Sequence, residues 1–175
     1  LLNLFKVGVT SAVWPVVLPY FSLKNREGCA LLPDYLKAIE IYTTFAWPFF
    51  IGVILFASPL VQVLFGDQWL AIIPLVQVLG LGALLQAVFP FVNALMVAKG
   101  EVQLNFRLQC ITALLRLASV AIGVFWGLKA ICYALVGAEI LAFLILFQGI
   151  KKGFGLTLGL LFETLSKSFH ALLAV

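Results

Sequence analysis

Two ionisable residues stand where charge is costly. Arg116 lies near the middle of an apolar run over residues 104–126, and Glu139 near the middle of another over 130–150. The runs meet at Gly127 and Leu128, so the pattern predicts an antiparallel helical hairpin. Arg116 is 12 residues before Leu128 and Glu139 is 11 after it. At 1.5 Å rise per residue both lie about 17 Å from the turn, near the midplane of a hydrocarbon layer. Two chemistries fit this placement, and both stay open. A buried ion pair would hold the helices in register, pairing offsetting part of the roughly 2.5–3.5 kcal/mol that each charge costs at the centre of a span. Alternatively, Arg116 faces a hydrated cavity and meets an anionic substrate, with Glu139 tuning it.

Arg116 has company on its helix. Gln109, Thr112, Arg116, Ser119 and Gly123 recur at spacings of 3, 4, 3 and 4, which makes one polar and small-residue stripe. The opposite face is Leu, Ile and Val. Such a stripe faces protein or water. In the preceding apolar run Gly82, Gln86 and Asn93 also share a face, beside Pro90. Small residues allow close packing and amides bond across helices, so packing is the expected role of that face. The candidate substrate-binding set is therefore Arg116, Glu139, Gln109, Thr112, Gln86 and Asn93.

Catalytic patterns are missing from the sequence. It has one histidine, His170, and no paired carboxylates, G-x-S-x-G, phosphate-binding glycine loop or metal-ligand spacing. Cys29, Cys110 and Cys132 are isolated, without a C-x-x-C. The expectation is a protein that is not an enzyme and needs neither a metal nor a cofactor. The net charge of +4 comes from 11 Lys and Arg scattered between apolar runs. They form no basic stripe, so nucleic acid is not an expected partner.

The elements that position these residues are transmembrane helices. The chain is 64% hydrophobic and 10% charged, against about 45–50% and 25% for soluble domains. Lipid is the solvent that accommodates such a surface. A span needs about 20 apolar residues. The runs at 1–21, 42–65, 72–98, 104–126 and 130–150 meet or approach this, the first broken by Pro15 and Pro19. A possible sixth begins near Phe169. The fold class is an all-α, polytopic transmembrane helix bundle of about five spans, the first truncated, in a single membrane domain over 1–175. No alternation of the barrel kind is present.

Loop charge sets the orientation. Loop 22–41 holds Lys24, Arg26 and Lys37. Loop 66–71 has no cation, and turn 127–129 has one lysine. Loop 99–106 opens on Lys99, with Arg107 just beyond, and the tail after residue 150 has Lys151, Lys152 and Lys167. The rich loops alternate with the poor ones, so 22–41, 99–106 and the tail are expected in the cytoplasm. Within 22–41, Pro33 and Asp34 suit a helix start, and Tyr35, Leu36, Ile39 and Tyr42 recur at helical spacing. This predicts a short cytoplasmic amphipathic helix lying on the inner membrane surface and feeding the span at 42–65. The stretch 156–167 is similar in kind. Trp14, Trp47, Trp69 and Trp126 lie mostly near span ends, where aromatic belts form. Pro48, Pro59 and Pro90 fall inside spans, where proline bends the axis. The chain starts at Leu1 inside an apolar run and stops in another, so it is expected to be a piece of something longer.

Two stretches carry a family resemblance. "VVLPYFSLKNREG" looks like a span end followed by a cytoplasmic loop. "WPFFIGVILFASPLVQVLFGDQWLAIIPLVQVLGLGALLQAVFPFVNALMVAKGEVQLNFRLQ" holds a proline-bearing span, an outer "LFGDQW" turn, a second span and an inner "AKGE" turn. Gly66, Trp69 and Gly100 are its most specific positions. The chain resembles the polysaccharide biosynthesis proteins of the multidrug/oligosaccharidyl-lipid/polysaccharide exporter superfamily, which include flippases of lipid-linked O-antigen, capsule and exopolysaccharide units. The resemblance implies two pseudo-symmetric lobes, about twelve to fourteen spans in all. This chain would be most of the C-terminal lobe, partnered by an N-terminal lobe of the same protein. The flippases hold substrate phosphates with cationic residues in a central cavity, and Arg116 is the residue here that could do so. The implied function is export or flipping of a lipid-linked oligosaccharide precursor with an anionic pyrophosphate head, by alternating access, in the bacterial inner membrane. The alternatives are a multidrug-type exporter of the same superfamily, or a non-transport component such as a polymerase. The short outer turns speak against the polymerase.

Overall fold

A computed structural model describes the backbone of residues 2–173, with side chains described at Val13 and over 15–168. Trp14 and His170 therefore fall outside the described side chains. The described residues form helices joined by short turns, without a strand. In chain order the helices are α1 (Leu2–Arg26), α2 (Leu31–Leu55), α3 (Ala57–Phe65), α4 (Ile73–Gln86), α5 (Val92–Lys99), α6 (Val102–Gly123), α7 (Leu128–Phe154) and α8 (Leu158–Leu173). Among the described residues four helical stretches are long and apolar enough to cross a membrane: Leu31–Leu55, Asp67–Gln86, Val102–Trp126 and Leu128–Phe154. The run expected as the first span is the helix α1, much of whose side-chain surface lies outside the described residues.

The two expected turns that lack cations or nearly so form as read. Gly66 (φ 85°) and Gly127 (φ 89°) each take a positive φ that favours glycine. Gly66 opens a 3-10 turn over Asp67–Ile72 that leads into α4. Trp69 and Trp126 sit exposed beside them. Gly100 (φ 85°, ψ 4°) is a left-handed cap on α5, and Gly155 caps α7 in the same way. The cap positions gather the chain ends of these helices at one end of the bundle. There the Lys99 ammonium donates to the Gly153 carbonyl and meets the Glu101 carboxylate at 3.0 Å. The Gly127 end and the Lys99 end are thus opposite poles of the molecule.

Three expectations about elements are corrected. The amphipathic pattern over 33–42 is real, but it is not a separate surface helix. It forms the opening turns of α2, continuous with the span. Its stripe of Tyr35, Ile39 and Tyr42 is buried in protein, Tyr35 edge-on to Phe21 of α1. Twenty-five residues reach about 37 Å, longer than the hydrocarbon layer, so the charged first turns still project from it. The second correction is at Pro59. Its missing N–H cannot serve the Leu55 carbonyl, and the expected span over 42–65 is interrupted at Phe56 between α2 and α3. Third, the helix expected over 156–167 forms as α8, but it runs on without a break through the start of the expected sixth run near Phe169. It packs along α2, with the Ser168 hydroxyl accepting from Thr43 at 2.9 Å and donating to the Glu40 carbonyl.

Pro90 does more than bend its helix. The expected span over 72–98 is broken into α4 and α5 by non-helical residues 87–91. Pro90 has no N–H for the Gln86 carbonyl, and the Phe89 N–H takes it instead at 3.4 Å. The Val88 N–H turns to the Leu85 carbonyl in the same way. Non-helical backbone at membrane depth is tolerated only inside protein or beside a cavity. Both conditions hold here. Ala87, Val88, Phe89 and Phe91 are buried, and they join the main apolar core with Leu95, Met96, Ile150 and Leu156. That core fills the Lys99 half of the bundle.

Candidate functional site

The α6–α7 hairpin carries the site. Small residues let the two helices close on each other. A Cβ on Gly123 would stand 2.7 Å from the Ile131 Cα, so backbone meets backbone near the turn. Further along, a Cβ on Gly149 would stand 2.7 Å from Leu108 Cδ1, and one on Gly153 would stand 3.2 Å from the Glu101 carboxylate. These pairs run in antiparallel register. Arg116 and Glu139 fall between them, as equal depth requires. Arg116 Nε donates to Glu139 Oε1 at 2.8 Å and Nη2 to Oε2 at 3.1 Å. The pair is bidentate, the stronger and more directional form of such contacts.

Its two halves are buried unequally. The Glu139 side chain is 8% exposed and the Arg116 side chain 44%. Gly82 of α4 helps to cover the carboxylate, since a Cβ there would come within 3.7 Å of Glu139 Cγ. Two of the five guanidinium N–H donors serve Glu139, which leaves three for another acceptor.

A cavity of about 740 Å³ adjoins the pair. All six residues singled out in the sequence line it: Gln86, Asn93, Gln109, Thr112, Arg116 and Glu139. Gln109 Nε2 donates to Asn93 Oδ1, joining α6 to the first turn of α5. Thr112 is buried, its hydroxyl donating to the Gln109 carbonyl at 3.1 Å. Ser119, from the same stripe, bonds the Leu115 carbonyl of its own helix. The Gly82 face therefore does both jobs: Gly82 packs against α7, whereas Gln86 and Asn93 look into the cavity.

The rest of the lining is apolar and was not singled out from the sequence. Phe65, Ile72, Val76, Leu79 and Leu135 form a wall that extends towards the Gly127 end. At the other limit the break residues Phe89 and Pro90 form a floor. Two aromatic pairs seal that limit. Phe89 meets Phe143 at 5.1 Å between ring centres, and Phe91 meets Tyr42 edge-on at 5.7 Å. Pro90 was the signal available for the floor, although proline alone does not say whether a helix bends or breaks. The outcome is an amphipathic cavity, polar at mid-depth and apolar above.

Comparison with known proteins agrees with this architecture. The family model of a polysaccharide biosynthesis protein matches residues 1–74. Over that stretch the chain is similar to polysaccharide biosynthesis proteins, and the relatives it matches share that character in part. It is 25% identical over 108 residues to the lipopolysaccharide biosynthesis protein WzxC of Escherichia coli strain K12, covering 62% of this chain and 22% of that protein. It is 24% identical over 98 residues to the teichuronic acid biosynthesis protein TuaB of Bacillus subtilis strain 168, covering 56% of this chain and 20% of that one. An uncharacterised membrane protein in the cps region of Klebsiella pneumoniae is 23% identical over 132 residues, 75% of this chain and 26% of that protein. The matched stretches thus span about a fifth to a quarter of these relatives. No solved structure matches the chain. The chain is a multi-pass membrane protein, and its exposed Phe45, Leu55, Val63, Phe106 and Leu117 are the lipid-facing surface expected of one.

Proposed function

We propose that this chain is part of a transporter that moves a lipid-linked polysaccharide precursor across the bacterial inner membrane by alternating access. The observation that carries the reading is the amphipathic cavity with Arg116 half-exposed at its polar level. A guanidinium with three donors to spare is suited to a phosphate or pyrophosphate group. The apolar wall suits the isoprenoid segment next to that group. The amides of Gln86, Asn93 and Gln109 suit the hydroxyls of a glycan. Similarity to WzxC, a lipopolysaccharide biosynthesis protein, and to TuaB, a teichuronic acid biosynthesis protein, supports a substrate of this class. The activity is transport and not catalysis, and a second lobe of the same protein would complete the cavity from its open side.

The test is export in the native gene context. Arg116→Leu is expected to stop surface polysaccharide and to leave lipid-linked precursor on the cytoplasmic leaflet. Arg116→Lys is expected to retain part of the export, because it keeps the charge and loses the fork. Normal export by an Arg116→Leu, Glu139→Leu double variant would sink the substrate role of Arg116. Loss of resistance to amphipathic drugs, with polysaccharide export intact, would point to a multidrug-type exporter instead.

A further inference from the structure

The broken third span divides its loyalties. Its first half, α4, packs on α2 and α7, whereas its second half, α5, packs on α1 and α6. Between them lie the non-helical residues 87–91, where no continuous helical ladder ties one half to the other. The break is also the floor of the cavity. Below it, α5 places Ala94, Leu95 and Met96 in the closed core of the Lys99 half, all fully buried. Polar ties hold α5 at both ends. At the Lys99 end, Lys99 binds the Gly153 carbonyl and Glu101 and lies 4.3 Å from the centre of the Phe154 ring. At the cavity end the tie is the Asn93–Gln109 amide bond. Only the second tie is made of groups that line the cavity, within reach of whatever fills it.

We infer that Asn93 and Gln109 form a ligand-responsive clasp: a hydroxyl-rich group in the cavity exchanges hydrogen bonds with the two amides, and α5, still tied at Lys99, then loosens from α6 about residues 87–91. The inference rests on the reading of the cavity as a site for a glycan bearing an anionic head. Gln109 lies two helical turns from Arg116 on the same stripe, about 10 Å along the axis. An anionic head held by Arg116 therefore places an attached sugar beside the clasp. An amide–amide bond is a suitable trigger because sugar hydroxyls can both donate to and accept from the same two groups. The exchange is nearly neutral in hydrogen bonds, so what changes is the tie between α5 and α6 and not the solvation of the amides.

The experiment is thiol labelling of the full chain in lipid nanodiscs. Cys29 and Cys110 are replaced by serine, Ala94→Cys is the reporter on α5, and the native buried Cys132 on α7 is the control. Gln109→Ala is expected to speed labelling of position 94 by about three- to tenfold, the range one hydrogen bond sets. Cys132 should keep its rate, and Gln109→Glu, which can accept from the Asn93 Nδ2 once that amide turns over, should stay slow. UDP-glucose is expected to speed labelling of position 94 in the otherwise unaltered protein, whereas inorganic pyrophosphate, which carries no sugar hydroxyl, is not. Unchanged labelling of position 94 in Gln109→Ala overturns the clasp, and so does a rise shared equally by Cys132, which marks general loosening. Binding of both UDP-glucose and pyrophosphate by equilibrium dialysis, with no acceleration by UDP-glucose, overturns the response to ligand while leaving the cavity reading intact. Binding of neither removes the cavity reading, and the Gln109→Ala arm then still judges the tie by itself.

Discussion

Arg116 and Glu139 share two hydrogen bonds but not the same surroundings. Glu139 is enclosed by α4 and α7, whereas Arg116 has the cavity beside it. The cost of removing each partner should differ accordingly. Arg116→Leu strands a buried carboxylate, a loss of about 3–5 kcal/mol where nothing replaces the cation. Glu139→Leu leaves a half-exposed guanidinium that water in the cavity can solvate, and the expected cost is about 1 kcal/mol. Thermal unfolding of the detergent-solubilised protein should rank them in that order, with the double leucine variant above Arg116→Leu. Equal loss in both single variants would show that Arg116 is as enclosed as its partner. This pair was legible in the sequence because a hairpin with one obvious turn converts residue counts into depth. Its asymmetry was not, since burial of Glu139 depends on Gly82 of a different helix.

At the scale of the helix, contacts between elements decide what the sequence pattern leaves open. The stripe over 35–42 announced an apolar face that must be covered, and periodicity cannot distinguish lipid from α1 as the cover. Pro59 and Pro90 were both visible, yet one interrupts a helix at a single residue and the other removes five from it. The difference lies in the packing: residues 87–91 have a core and a cavity to support them. Glycines show the same dependence on what lies opposite. A Cβ on Gly80 would strike Ile54 Cγ1 at 2.5 Å, a β-branched side chain with one preferred rotamer in its helix, which yields by a shift of α2 on α4. A Cβ on Gly123 would strike the backbone of Ile131, which cannot yield without parting α6 from α7. Gly123→Ala is therefore expected to destabilise by about 2–3 kcal/mol, and Gly80→Ala by about 1 kcal/mol. Because the turn at Gly127 fixes the register that aligns Arg116 with Glu139, Gly123→Ala should also weaken that pair. Comparable melting temperatures for the two alanine variants would contradict the assignment of the close approach to α6 and α7.

At the scale of the whole molecule, the structure gathers at one pole what the sequence scattered along the chain. Lys99, Gly153 and Glu101 meet there, and Lys151 and Lys152 lie in the last turn of α7 beside them. Lys24 and Arg26 end α1, which packs on α5. The opposite pole holds the Gly66 and Gly127 turns, with Lys129 as the cation next to them. A cytoplasmic leaflet rich in anionic lipid attracts each nearby cation by about 1 kcal/mol. The concentration of cations at the Lys99 pole therefore predicts that this pole faces the cytoplasm and that the cavity, which runs towards the Gly127 pole, opens outward in this conformation. The native Cys29 is exposed in the loop between α1 and α2 and can report on the Lys99 pole once Cys110 and Cys132 are replaced. Gln103, exposed next to Glu101, is a second reporter on that pole, since a cysteine at Gly100 would be strained by its positive φ. Asp67 reports on the far pole. An impermeant maleimide added to spheroplasts is expected to label Asp67→Cys and to spare both Cys29 and Gln103→Cys. Inside-out vesicles should give the reverse. Labelling of Cys29 in spheroplasts, with position 67 silent, would invert the protein, and the cavity would then open to the cytoplasm. Labelling of Cys29 and position 67 from the same side would be more damaging, because it would place the two poles in one compartment and contradict the spanning of α2 and α3 together.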